Sequence, residues 1–223
     1  MFADAPARFA DRAEAGRLLG QRLRQMHLVR PIVYALPRGG VPVGAEVAEA
    51  LGAPLDLILV RKLGAPFQAE LAIGAVTDGG EAETVLNDDI IAATGATDAF
   101  IEAARKREMA EIERRRLLYV ANRPRPDPRG RAAVVVDDGL ATGATARAAL
   151  RALRRRGPSP LVLAVPVGTP DTVAAMRAEA DTVVCLHEAR PLHGIGAFYA
   201  DFHQLADTEV IRLLDTAAAR MAR

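Results

Sequence analysis

One cysteine, no tryptophan and only two lysines occur in 223 residues. A lone thiol cannot form a disulfide within the chain, so a cysteine framework is excluded and a reducing, cytoplasmic setting is expected. Cys185 stands in the apolar run Val183-Val184-Cys185-Leu186 and reads as a small buried hydrophobe. No apolar run approaches the roughly 18 residues that a membrane helix needs. The N-terminus has arginines without an apolar stretch, so no secretion signal is expected. Net charge is +1, from 29 Lys+Arg against 28 Asp+Glu. That balance gives no global pull toward nucleic acid or an anionic membrane, and neither is expected as a partner. With Lys62 and Lys106 the only lysines, arginine carries nearly all the positive charge.

Apolar residues make up 50% of the chain and charged residues 26%, an ordinary soluble composition. Leu18, Leu19, Leu23 and Met26 recur at helical spacing across 9–27. A strand over 32–36 closes at Pro37-Arg38-Gly39-Gly40, and a helix over 41–51 follows. The next strand, 55–60, ends at Arg61-Lys62. Strands at 71–77 and 83–87 flank Asp78-Gly79-Gly80, a hairpin signal. A long charged helix covers 98–119, and a proline-containing loop covers 123–131. Strand 133–137, helix 145–155, strand 161–167, helix 171–179 and strand 182–186 then alternate, and 208–221 closes as a helix. This alternation predicts an α/β fold, a twisted parallel sheet with helices on both faces. The hairpin and the irregular segment 187–207 stand outside it and read as small insertions on a single domain spanning 1–223.

The run Val134-Val135-Val136-Asp137-Asp138-Gly139-Leu140-Ala141-Thr142-Gly143-Ala144-Thr145 carries the chemistry. A buried strand delivers two carboxylates to a sheet edge, where open parallel sheets gather ligands. Ala141, Thr142, Gly143, Ala144 and Thr145 offer backbone amides and two hydroxyls to a phosphate at a helix N-terminus. Asp137 and Asp138 would repel that phosphate. They can instead accept hydrogen bonds from sugar hydroxyls, or hold a Mg²⁺ that a pyrophosphate also coordinates. Arg38 can pair with an anion, and Gly39 and Gly40 allow a close backbone approach. Arg61 and Lys62 add two cations at a second strand end. Together these loops suit a phosphate, a diol and a pyrophosphate in one ligand, the constitution of 5-phosphoribosyl 1-pyrophosphate. Taken alone, Arg38-Gly39-Gly40 also reads as a plain turn.

Residues 134–145 resemble the phosphoribosyl-pyrophosphate signature of the type I phosphoribosyltransferases: apolar strand, two acids, small residues, then Thr-Gly-x-Thr. Arg38-Gly39-Gly40 is similar in place to that family's pyrophosphate loop, and Arg61-Lys62 to its Arg-Lys pair. The resemblance implies a Mg²⁺-dependent transferase that moves a phosphoribosyl group to a nitrogenous base or related nitrogen acceptor. Asp137 and Asp138 would hold the ribose 2- and 3-hydroxyls and steady an oxocarbenium-like transition state, with any metal contact running through water. Residues 141–145 would hold the 5-phosphate, and Arg38, Gly39, Gly40, Arg61 and Lys62 the pyrophosphate. The resemblance also implies a cis Pro37–Arg38 peptide and a homodimer. Within the candidate hood 187–207, Phe198 and Tyr199, with Phe202, could stack on a flat acceptor or serve as core. A non-catalytic binder of the same ligand is the alternative function. Lys106 reads as part of a solvated helix face, and His187 and His193 as surface or hydrogen-bonded histidines.

Overall fold

Four residues that are all fully buried, Ala133–Val136, form the middle strand β6 of a five-stranded parallel sheet. The computed structural model describes residues 8–78, 83–120, 123, 125–190 and 194–221. Flanking β6 are β1 (Ile32–Ala35) and β7 (Leu161–Gly168); β2 (Leu55–Leu57) and β8 (Thr182–Glu188) form the edges, in the order β2-β1-β6-β7-β8. Register runs Ile32 opposite Ala133 and Ala133 opposite Leu161, so the three central strands are aligned. Unbroken β-branched and leucine runs suit strands covered on both faces.

Helices α1 (Arg12–Arg24) and α2 (Gly40–Leu51) cover one face, where Leu19, Leu23, Val43 and Val47 pack on Val33, Val134 and Val162. On the other face, α5 (Ala144–Arg155) and α6 (Pro170–Met176) pack Leu150, Leu153 and Met176 on Tyr34, Val135 and Leu163. The expected architecture is therefore the observed one, with helices on both faces of a parallel sheet.

The second sheet departs from the sequence reading in one respect. The expected strand 55–60 is broken: β2 stops at Leu57, and Val60–Ala65 form a separate strand, β3. β3 pairs antiparallel with β4 (Gln68–Thr77), which pairs antiparallel with β5 (Glu83–Leu86). Asp78 fixes the break. Its Oδ1 accepts the Leu59 amide at 2.8 Å, while its own amide donates to the Leu59 carbonyl at 3.1 Å. Arg61 and Lys62 thus lie inside an antiparallel strand, not at the end of a parallel one. The expected hairpin is present as β4 and β5; Gly79 and Gly80 lie outside the described residues.

Three further helices complete the fold. The short α3 (Asp88–Thr94) had no counterpart in the sequence reading, although Asn87 caps it by accepting the Ile90 amide and Gly95 ends it at φ 64°. The long α4 (Asp98–Val120) packs on β3 and on α7 (Asp207–Met221), with Ile112, Tyr119, Val210 and Leu214 in one cluster. Among the described residues, no helix is long and apolar enough to cross a membrane.

Candidate functional site

Strand order reverses between β1 and β6: the chain runs outward from β1 to β2, then returns to β6 on the other side. Such a switch point leaves a crevice beyond the carboxyl ends of the strands. The loop 36–39 and the acids Asp137 and Asp138 meet there. A Cβ built on Gly39 would lie 2.0 Å from Asp138 Oδ2, and one on Gly40 would lie 2.6 Å from the Val136 carbonyl. Gly39 is therefore required by the Asp138 carboxylate, and Gly40 by the backbone at Val136 and Asp137. The Pro37–Arg38 peptide that enters this loop is cis, as the resemblance implied.

The two acids differ in their surroundings. Asp138 accepts Arg12 Nε at 2.9 Å, and its backbone amide donates to Asp137 Oδ1 at 2.9 Å. Asp137 has no ion pair among the described residues. Burial, and then the charge of Asp138, push its carboxyl well above the usual carboxylate range. A carboxylate so placed gains from a cation. Among the described residues, no group of three or more His, Cys, Asp and Glu could enclose a metal. Mg²⁺ is commonly held by one or two carboxylates together with substrate phosphates, and this pair fits that smaller role.

Beyond the acids, the chain crosses toward β7. Leu140 donates to the Val167 carbonyl at 2.8 Å, and the Thr172 hydroxyl donates to the Ala141 carbonyl at 3.0 Å. Gly143 then adopts φ 74° and caps α5, leaving Ala141, Thr142 and Ala144 exposed. Amides in the first turn of a helix have no intrahelical acceptor, which leaves those of Ala144 and Thr145 open to another partner. Residues 141–145 thus lie at the open N-terminus of α5, a position at which helix amides can meet an anion.

The remaining candidates are brought together only in part. Arg38 precedes Gly39 in the loop, but its side chain turns to the start of α7, with Nη1 3.7 Å from Asp207 Oδ1. Tyr119 donates its hydroxyl to the same carboxylate at 2.5 Å. Arg61 and Lys62 point to opposite faces of β3, as neighbours in a strand must. Arg61 Nε meets Glu108 of α4 at 2.8 Å. Lys62 instead lines a cavity of about 440 Å³ between the small sheet and α5, with Ala144 and Thr145 on its opposite wall. The aromatics of the candidate hood divide likewise. Tyr199 is buried, stacked on Phe202 and packed against Phe9, and its hydroxyl donates to the Asp138 carbonyl at 2.6 Å. Its ring offers no free face to an acceptor. Phe198 is half-buried against His187. Pro191 and His193 lie outside the described residues. The sequence reading overlooked Arg12, an arginine in the first turn of an ordinary amphipathic helix; only its place after the capping Asp11, where an acid would suit the helix better, sets it apart.

Residues 10–193 match the family of the phosphoribosyl transferase domain. A protein of Mycobacterium tuberculosis (strain ATCC 25618 / H37Rv) that carries a provisional phosphoribosyl transferase name is 47% identical over 209 residues, which cover 94% of this chain and 47% of that protein. The chain spans about half the length of the curated relatives it matches. The crystal structure of TT1426 from Thermus thermophilus superposes with a TM-score of 0.79 at 41% identity, covering 93% of this chain and 97% of that one. A hypothetical protein from Neisseria gonorrhoeae, crystallised with bound ppGpp, shares the fold alone, at 12% identity and TM-score 0.50 over 92% of each chain.

Proposed function

The chain belongs to the phosphoribosyl transferase domain family, and on that premise we propose that it binds 5-phosphoribosyl 1-pyrophosphate with Mg²⁺ and transfers the phosphoribosyl group to a nitrogen acceptor, a base or a related compound. The observation that carries this reading is the acid pair lying at the switch point of the sheet between the glycine loop 36–39 and the open N-terminus of α5 at 141–145. In the transfer, the bond from C1 of ribose to the pyrophosphate oxygen breaks and a C1–nitrogen bond forms. The electron pair leaves with pyrophosphate, and the acceptor nitrogen loses its proton.

The cradle 141–145 binds the 5-phosphate through amides and the two threonine hydroxyls. Asp138 accepts a hydrogen bond from the ribose diol, and the negative charge of the pair steadies the positive charge that develops at C1. Arg38 and the Gly39-Gly40 backbone meet the pyrophosphate. Of Arg61 and Lys62, we assign Lys62 to the bound anions, since it shares a cavity with Thr145 while Arg61 is paired with Glu108. Mg²⁺, held through water by Asp137 and Asp138, would neutralise the leaving pyrophosphate. Phe198 is the better acceptor candidate of the two hood aromatics, because both neighbours of the Tyr199 ring are aromatic side chains of the chain itself.

The test is pyrophosphate release from phosphoribosyl pyrophosphate and Mg²⁺ across a panel of bases. Release that depends on one base, and stops with EDTA, is the expected result. Tight binding without release under any base would replace the transferase with a non-catalytic binder.

A further inference from the structure

Arg12 is buried (8% exposed) in the first turn of a helix, where the positive end of the helix dipole disfavours a cation. Local helix chemistry gives no reason for it. Three contacts do. Arg12 Nε donates to Asp138 Oδ2 at 2.9 Å, Nη1 donates to the His203 carbonyl at 3.0 Å, and the guanidinium lies 3.8 Å from the centre of the Phe202 ring. A flat fork that bonds in two directions while resting on an aromatic face has one orientation available to it. The backbone of Asp138 is held as well, by the Tyr199 hydroxyl on its carbonyl. Gly39 closes the side of the carboxylate facing the loop 36–39. The ion pair with Arg12 engages Oδ2 and leaves Oδ1 of Asp138 without a cation of its own among the described residues.

We propose that Arg12 is the positioning residue for Asp138. It anchors Oδ2 and so presents Oδ1 to the ribose hydroxyls, and the clasp formed by Phe9, Tyr199 and Phe202 holds Arg12 in place. This rests on the phosphoribosyl reading above. Arg12 acts through Asp138 and makes no contact with the phosphate cradle, so its loss must fall on the sugar and spare the phosphate.

Two probes separate those effects. Inorganic phosphate occupies the cradle 141–145 without a diol, and ribose 5-phosphate carries both groups. Calorimetry with each gives a ratio of affinities for the wild type, Arg12→Ala and Arg12→Lys. The ratio is expected to fall about tenfold in Arg12→Ala, the scale of one lost charged hydrogen bond, with phosphate affinity unchanged. Added guanidinium should restore it. Arg12→Lys keeps the charge without the fork and should fall between the two, and it serves if the alanine variant does not fold. A wild-type ratio that persists in both variants overturns the role of Arg12 alone, as does equal weakening of both probes. A wild type that binds ribose 5-phosphate no better than phosphate overturns the phosphoribosyl reading, and this role with it.

Discussion

Gly39 shows how a glycine can be demanded by volume alone. Its φ of −58° and ψ of −37° are open to any residue. A methyl group there would nevertheless lie 2.0 Å from Asp138 Oδ2 and 2.5 Å from its Cγ. Because Arg12 pins that carboxylate, Gly39→Ala must either push Asp138 off Arg12 or lift the loop. The expected outcome is a stability loss of about 1–3 kcal/mol, the usual cost of overpacking. Phosphoribosyl pyrophosphate affinity should drop at least about tenfold. Urea denaturation reads the first effect and titration calorimetry the second. The sequence made Gly39 and Gly40 visible as a loop needing close approach. It could not show that the approaching group comes from residue 138, because that contact exists only once β1 and β6 pair.

At the scale of elements, regular periodicity made most of the fold legible. The parallel strands and α1, α2, α4, α5 and α7 fall within a few residues of their sequence-based ranges, announced by local apolar runs and spacing or, for α4, by a long charged run. The strand break after Leu57 was hidden, because its cause is Asp78, which bonds Leu59 from 19 residues away. Helix α4 hid a second feature. Lys106 reads as part of a solvated face and is exposed, yet Arg116, about three turns further on, is buried at 7% exposure between Asp78 at 2.5 Å and Asp56 at 3.4 Å. Burial raises the Asp78 carboxyl above its ordinary range, and Arg116 is the main influence opposing that rise. Arg116 thus ties α4 to β2 and to the end of β4. Removing Arg116 leaves Asp56 without an ion pair among the described residues and Asp78 with only Arg125, 3.4 Å away, so Arg116→Ala is expected to cost about 3–5 kcal/mol. Chemical denaturation measures it directly, and a change below about 1 kcal/mol would contradict the account.

For the molecule as a whole, the segment leading into α1 and the segment before α7 meet. Phe9 bridges to Tyr199, the Ala200 amide donates to the Phe9 carbonyl, and Arg12 reaches the His203 carbonyl, 191 positions along the chain. Nothing in the sequence announces a meeting across that distance, which is why the 187–207 segment was legible as an insertion while its hold on Asp138 was not. On the 187–207 side, the His203 ring ties this segment to the first turn of α7, lying between Asp201 and Glu209. The hydrogen bond to Asp201, then that to Glu209, raises its pKa above the ordinary histidine value. A raised folded-state pKa favours the protonated form in the fold. The stabilisation is therefore complete below about pH 6.5 and is lost as pH climbs through the raised value. Thermal melts of the wild type and His203→Gln should differ more at about pH 6 than at about pH 9. An equal difference at both would exclude this contribution.

The alternation of β3 has an evolutionary corollary. Arg61 serves Glu108 on one side of the strand and Lys62 the cavity beside Thr145 on the other, so their duties are set by parity, not by position. Deleting one residue between β2 and Arg61 would exchange the two cations, sending arginine into the cavity and lysine to the helix. Replacing either residue alters one side, whereas a shift in reading phase rewires both. This segment should accordingly tolerate changes of letter far better than changes of length.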